Sequence, residues 1–196
     1  MGQYYRPILL KGKKSNKPEF AFNPFAYDNG QKLMEHSYVG NYLCLAVMYN
    51  LLNSPKRLVW AGDYADGENG EDSMNLWWLS QDHTDKSDDV VFKSKCKEIS
   101  PDTLPTYNEL QEMFSKPVFV INHTKKVYFE MQPYDNKLVI NPLPLLTAEG
   151  NGRGGGDFYG LNGGAVGIWA RDEIEISSEA PEGYSQINEP IFKEDY

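Results

Sequence analysis

The residues best suited to chemistry crowd into one stretch. Glu149-Gly150-Asn151-Gly152-Arg153-Gly154-Gly155-Gly156-Asp157 holds five glycines in nine residues, and Gly160, Gly163 and Gly164 follow. Glycine loses more backbone freedom on folding than any other residue, so a cluster of this density needs a reason. One reason is close approach of main-chain N–H groups to a ligand, since successive N–H groups in a turn form an anion-binding nest. Arg153 adds a planar fork of donors that matches phosphate or carboxylate. The ligand site expected on these grounds is Gly150, Asn151, Gly152, Arg153, Gly154, Gly155 and Gly156. The spacing is not that of a nucleotide-triphosphate loop, because no lysine follows the glycines. Gly150 to Gly155 satisfies Gly-x-Gly-x-x-Gly literally, but no strand–helix–strand unit surrounds it. A tightly turned surface loop without a ligand accounts for the same composition.

A second constellation is acidic. Trp60-Ala61-Gly62-Asp63-Tyr64-Ala65-Asp66 puts two carboxylates after a predicted strand, and Glu68 follows. Carboxylates at a strand end serve metals or general acid–base chemistry. A metal-dependent hydrolase would use Asp63, Asp66, Glu149 and Asp157 as ligands, with His36 as base. The same residues also read as a solvated acidic loop, and His36 as a structural histidine. With only His36, His83 and His123 and no His-x-x-x-His pair, a zinc enzyme built on histidines is not supported. No Gly-x-Ser-x-Gly elbow is present. Tyr4, Tyr5, Trp60 and Trp169 are the aromatics that would stack on a base.

Composition narrows the partners. The chain has 196 residues and a net charge of −9. Proteins that bind a phosphate backbone are usually basic, so direct nucleic-acid binding is not expected. An acidic surface serves solubility, attraction to a basic partner such as a host protein, or nucleic-acid mimicry. Cys44 lies in an apolar run and reads as a buried small residue. Cys96, in Lys93-Ser94-Lys95-Cys96-Lys97, has lysines that would lower its thiol pKa. The first residues lack a signal-peptide pattern and no apolar run is long enough to span a membrane, so a cytoplasmic location is expected. No cofactor is expected.

The elements that must position these residues read as follows. Gln3–Leu10 alternates as a strand, with Pro7 suggesting an edge position or a bulge. Lys11–Pro18 is a basic turn, and Phe20–Tyr27 a strand running into a loop. Leu33–Leu52 is apolar on more than one face and reads as a central buried helix, with a break at Gly40-Asn41. Arg57–Ala61 and Asn75–Ser80 read as strands. Thr106-Tyr107-Asn108-Glu109 is a capping box opening a short helix to Ser115. Val118–Asn122 and Val127–Met131 form a hairpin. Lys137–Ile140 is a further strand, after which Pro142 and Pro144 break regular pairing. Ala165–Trp169 and Glu173–Ile176 are a final pair of short segments, and a polar tail follows from about Ser177. Strands outnumber helices without alternating with them. The expectation is therefore one α+β domain over 1–196, with a mostly antiparallel sheet, one central buried helix and one short helix.

Several segments, taken together, resemble a family of uncharacterised proteins of bacteria and their phages. They are Met1-Gly2-Gln3-Tyr4-Tyr5, Lys32-Leu33-Met34-Glu35-His36-Ser37, Gly62-Asp63-Tyr64-Ala65-Asp66, Asn122-His123-Thr124-Lys125-Lys126, the run from Pro142 through Asp157, and Gly167-Ile168-Trp169-Ala170-Arg171-Asp172. The resemblance spans nearly the whole chain and implies a cytoplasmic, phage-borne setting, but it carries over no catalytic residue. The function expected is a non-enzymatic binder of a small phosphorylated or nucleotide-like ligand, in a phage setting one that sequesters a host defence signal. The alternatives are the metal-dependent hydrolase and an acidic interaction protein that blocks a basic host surface.

Overall fold

A computed structural model describes residues 3–69, 73–85, 90–133, 139–152 and 158–194. The chain runs β1 (Tyr5–Leu10), β2 (Pro18–Ala21), α1 (Leu33–His36), α2 (Tyr42–Leu51), β3 (Lys56–Gly62), α3 (Leu76–Leu79), β4 (His83–Asp85), β5 (Val90–Phe92) and β6 (Lys97–Glu98). It continues with α4 (Tyr107–Met113), β7 (Val118–Asn122), β8 (Val127–Met131), α5 (Pro142–Leu146), β9 (Ala148–Glu149), β10 (Gly160–Leu161), β11 (Glu173–Ser177), β12 (Ser185–Gln186) and β13 (Lys193–Glu194). The fold is α+β. Its main sheet has the order β12-β8-β7-β11-β3-β1-β2-β6, with β9 also paired to β3.

The sheet is mixed, where the sequence suggests a mostly antiparallel one. The longer strands pair antiparallel, as in β1–β3 and β7–β8. Three two-residue strands join in parallel: β12 on β8, β6 on β2 and β9 on β3. Each arrives after a long connection, so no hairpin dictates its direction.

Both faces of the central strands are covered. Leu58 and Trp60 of β3, with Tyr5 and Leu9 of β1, face a cluster that includes Leu43, Val47 and Met48 of α2. Val59, Ala61, Ile8 and Leu10 face the other way, against Leu76 and Trp77 of α3. All six residues of β1 are therefore buried. Arg6 lies among them, 5% exposed, and its Nη1 donates to the Ser80 carbonyl at 3.0 Å. Burial lowers its pKa, against the opposing pull of Glu98.

Pro7 does not mark an edge, because β1 lies between β3 and β2. Pro7 pairs with Trp60, whose own N–H turns away to the Thr147 carbonyl at 2.8 Å. The N–H that proline lacks would point toward Phe22, just past β2, whose own N–H reaches the Pro7 carbonyl at 3.1 Å. Proline forgoes the reciprocal bond of that pair at the end of the β1–β2 ladder and keeps the other. The sheet irregularity falls at Leu9/Leu10 instead.

Helices also depart from the sequence reading. The stretch Leu33–Leu52 is two helices, a short α1 and a longer α2, divided at the expected Gly40-Asn41 break, so the departure is from a single central helix. Asn41 separates them: its Oδ1 accepts from Cys44 N–H at 3.1 Å to start α2, and its Nδ2 donates to the Glu35 carbonyl at 2.9 Å. Seven residues of α2 are buried, which explains why its apolar residues cover more than one face. Asn75–Ser80 is a helical turn and not a strand, because Asn75 Oδ1 caps it by accepting from Trp78 N–H at 3.2 Å. Pro142 and Pro144 start α5 rather than break the chain. Both fall in its first turn, where no N–H has an intrahelical partner. Of Lys137–Ile140, the first two residues lie outside the described ones, and Ile140 forms a single bridge with Tyr38. Ala165–Trp169 is a series of turns, whereas β11 sits between β7 and β3. The tail after Ser177 returns to the sheet at β12 and buries Phe192.

Candidate functional site

The parallel pairing of β3 with β9 brings the acidic loop and the start of the glycine loop together. Trp60 pairs with Ala148 and Ala61 with Glu149, so both chains leave the sheet at the same end. Two glycines allow the contact. A Cβ on Gly62 would lie 2.5 Å from the Glu149 carbonyl oxygen. One on Gly150, at φ +94°, would lie 3.1 Å from Ala65 N. The side chain of Gln3, fully buried, is wedged against both glycines. A cavity of about 420 Å³ opens where the loops meet, lined by Asn16, Ala65, Asp66, Gly67, Glu68, Glu149, Gly150, Asn151 and Arg171.

Arg171 holds this cavity together. Its backbone adopts φ +65°. Its Nε and Nη2 grip Glu149, with Nη2 to Oε2 at 2.9 Å, and its Nη1 reaches Glu68 Oε2 at 2.9 Å, with Nη2 on Oε1 at 2.6 Å. Burial disfavours the charge, but the hydrogen bonds to Glu149 and Glu68 outweigh it and raise the guanidinium pKa. Glu149 is thus committed to an arginine rather than open to a metal. Asp63 accepts Tyr4 N–H at 2.9 Å, and Asp66 is exposed at the cavity. Among the described residues no three His, Cys, Asp or Glu side chains converge to hold a metal ion.

The glycine loop is pinned at its base. Asn151 Oδ1 accepts Phe158 N–H at 2.8 Å and its Nδ2 donates to the Phe158 carbonyl at 3.2 Å. Gly150, Asn151 and Gly152 are therefore placed, while Arg153, Gly154, Gly155, Gly156 and Asp157 lie outside the described residues.

The other candidates separate. His36 is fully buried. Its Nδ1 accepts from Trp60 Nε1–H at 2.9 Å, and its Nε2 bonds the Gly30 carbonyl at 2.9 Å. Burial drives its pKa down to about 4. With both nitrogens engaged inside the protein, His36 has no free position from which to act as a base. Tyr5, Trp60 and Trp169 are core residues at 0%, 0% and 2% exposure, so they cannot stack on a bound base; Tyr4, at 41%, is the exposed member of the four. His123 bonds Glu175 Oε2 at 2.6 Å and the Tyr184 hydroxyl at 2.9 Å, fastening the tail to the hairpin turn.

A second, larger cleft of about 1120 Å³ adjoins the first and shares Asn16 and Glu68 with it. Four exposed lysines line it, Lys11 and Lys17 from the β1–β2 turn and Lys95 and Lys97 from the approach to β6. Arg57 props the turn: Nη1 donates to the Ser15 carbonyl at 2.9 Å, Nη2 to Asn16 Oδ1 at 3.0 Å, and Nε to the Arg171 carbonyl at 2.8 Å. Opposite, Lys95 N–H donates to the Leu79 carbonyl at 2.8 Å. Sequence reasoning noted each lysine run by itself; the signal it missed was two basic runs in a chain that is otherwise acidic. The lysines do not activate Cys96 either. Burial raises its thiol pKa, against a hydrogen bond from Ser94 and the charge of Arg6.

No protein family, curated protein or solved structure matches this chain.

Proposed function

We propose that the protein is a non-enzymatic binder of a small phosphorylated or nucleotide-like ligand, seated where the lysine cleft meets the base of the glycine loop. The observation that carries this reading is the continuity of the two cavities through Asn16 and Glu68. Four lysines gather on one side of a protein whose net charge is −9. Such a cleft focuses field lines and concentrates anions. The lysines act as point charges on phosphate oxygens, and Gly150 and Asn151, at the base of the glycine loop, line the adjoining cavity. Of the four aromatics expected to stack on a base, Tyr4, beside Asp63, is the exposed one, and Phe20 lines the lysine cleft itself. A binder without chemistry acts by holding its ligand away from other proteins; in a phage setting that ligand is a host signal.

Calorimetry tests the reading. Inorganic triphosphate and a panel of mono-, di- and cyclic nucleotides are titrated into the protein at low salt. Saturable heat that vanishes in Lys11→Gln/Lys17→Gln and in Arg153→Gln is the expected result. Absence of heat with every member of the panel at millimolar concentration ends the proposal.

A further inference from the structure

A third cavity has a different chemistry and shares no lining residue with the other two. It lies between α2, the end of α4 and the β7–β8 pair, with a volume of about 200 Å³. Leu45, Met48, Phe114, Val118 and Met131 form its apolar wall, each less than 10% exposed. A dry apolar cavity of roughly 150 Å³ already accommodates benzene, so one ring fits here with room for a substituent.

One wall residue is both polar and buried, while Gln111, Ser115, Lys116 and Gln132 are exposed at the mouth. Asn141 is 1% exposed. Its Oδ1 is spent on Leu143 N–H at 2.9 Å, capping α5. Its Nδ2 donates to Met48 Sδ at 3.5 Å. A thioether is a weak acceptor, and a carboxamide nitrogen carries two hydrogens. A buried N–H without a full partner is costly, so this amide gains from any oxygen acceptor that enters. Lys116, exposed, also lines the cavity and adds a positive charge where a carboxylate would emerge.

We propose that this cavity binds a small one-ring molecule carrying a carbonyl or carboxylate. The ring fills the space between Leu45, Phe114, Val118 and Met131, and the oxygen accepts from Asn141 Nδ2 in place of the thioether. The proposal stands apart from the lysine cleft: triphosphate would not compete with this ligand.

The test uses benzamide and toluene as probes on the full chain, followed by the methyl NMR signals of Met48 and Met131. Benzamide is expected to shift both signals saturably and to bind about tenfold tighter than toluene, the value of one added hydrogen bond. Met48→Leu keeps the volume and removes the sulfur, so benzamide affinity holds or rises in it. Val118→Phe fills the cavity and should abolish the shifts; if that variant does not fold, the wild-type ratio decides alone. Equal binding of the two probes within about twofold, or no methyl shift at millimolar benzamide, overturns the proposal. Saturable binding that leaves Met48 and Met131 unmoved also overturns it, because the ligand then sits elsewhere.

Discussion

Trp60 and His36 are buried as a pair, and the pair fixes which proton His36 carries. An indole N–H only donates, so His36 Nδ1 must accept it, and Nε2 carries the hydrogen offered to Gly30. Folding therefore requires the neutral ring. The unfolded chain takes up a proton below the ordinary histidine pKa of 6.5, whereas the folded protein resists until about 4. Stability from this group is present above pH 6.5 and drains away as pH falls from 6.5 to 4, by about 3 kcal/mol in total. Urea denaturation at stepped pH should show that slope, and His36→Gln should flatten it. Trp60→Phe leaves Nδ1 without a donor and should cost about 1–3 kcal/mol at neutral pH. None of this was legible in the sequence, where Gly30, His36 and Trp60 stand apart and only their packing across β3 joins them.

At the scale of elements, the glycines at Gly62 and Gly150 decide how closely β9 can approach the end of β3. Gly62→Ala forces a methyl against the Glu149 carbonyl and should cost about 1–3 kcal/mol. Gly163→Ala, with open space around it, should stay within about 0.5 kcal/mol; thermal melts of the two variants compare them directly. Arg171→Gln leaves Glu68 and Glu149 side by side without their shared cation. The expected loss is about 3 kcal/mol, with faster hydrogen exchange confined to 62–69 and 149–152; a uniform change across the sheet would contradict the clamp. Elements whose signals are local stand where the sequence places them: the capping box of Thr106 and Glu109 opens α4, and the hairpin of β7 and β8 keeps its bounds. The misreadings share a cause. At Asn75 and Asn141 a side chain caps a helical turn too short to show periodicity, and at Pro7 the neighbours that tolerate proline come from distant segments.

For the whole molecule, charge is distributed against its own average. The net charge is −9, yet four exposed lysines of the β1–β2 turn and of the approach to β6 meet in one cleft. If phosphate binds there, affinity must fall with added salt, since the Debye length shrinks from about 10 Å at 0.1 M to about 3 Å at 1 M. Lys95→Glu/Lys97→Glu should weaken binding without moving the melting temperature, both side chains being exposed. An affinity indifferent to salt and to these changes would place the ligand elsewhere. Among the described residues no helix is long and apolar enough to cross a membrane. The cleft was only half legible: its lysines are visible in the sequence, but their meeting depends on β6 returning to β2 across about 80 positions.

The two-residue strands at the rims of the sheet have one more consequence. β12 covers β8 through Ser185 N–H on the Lys126 carbonyl and Ile187 N–H on the Tyr128 carbonyl, and β6 covers the opposite rim with Lys97 and Glu98. Borders this short, polar at β12 and charged at β6, give a neighbouring molecule little template on which to grow another strand. Cutting the chain after Ser177 would uncover β8, and light scattering should then report more self-association than the intact protein shows.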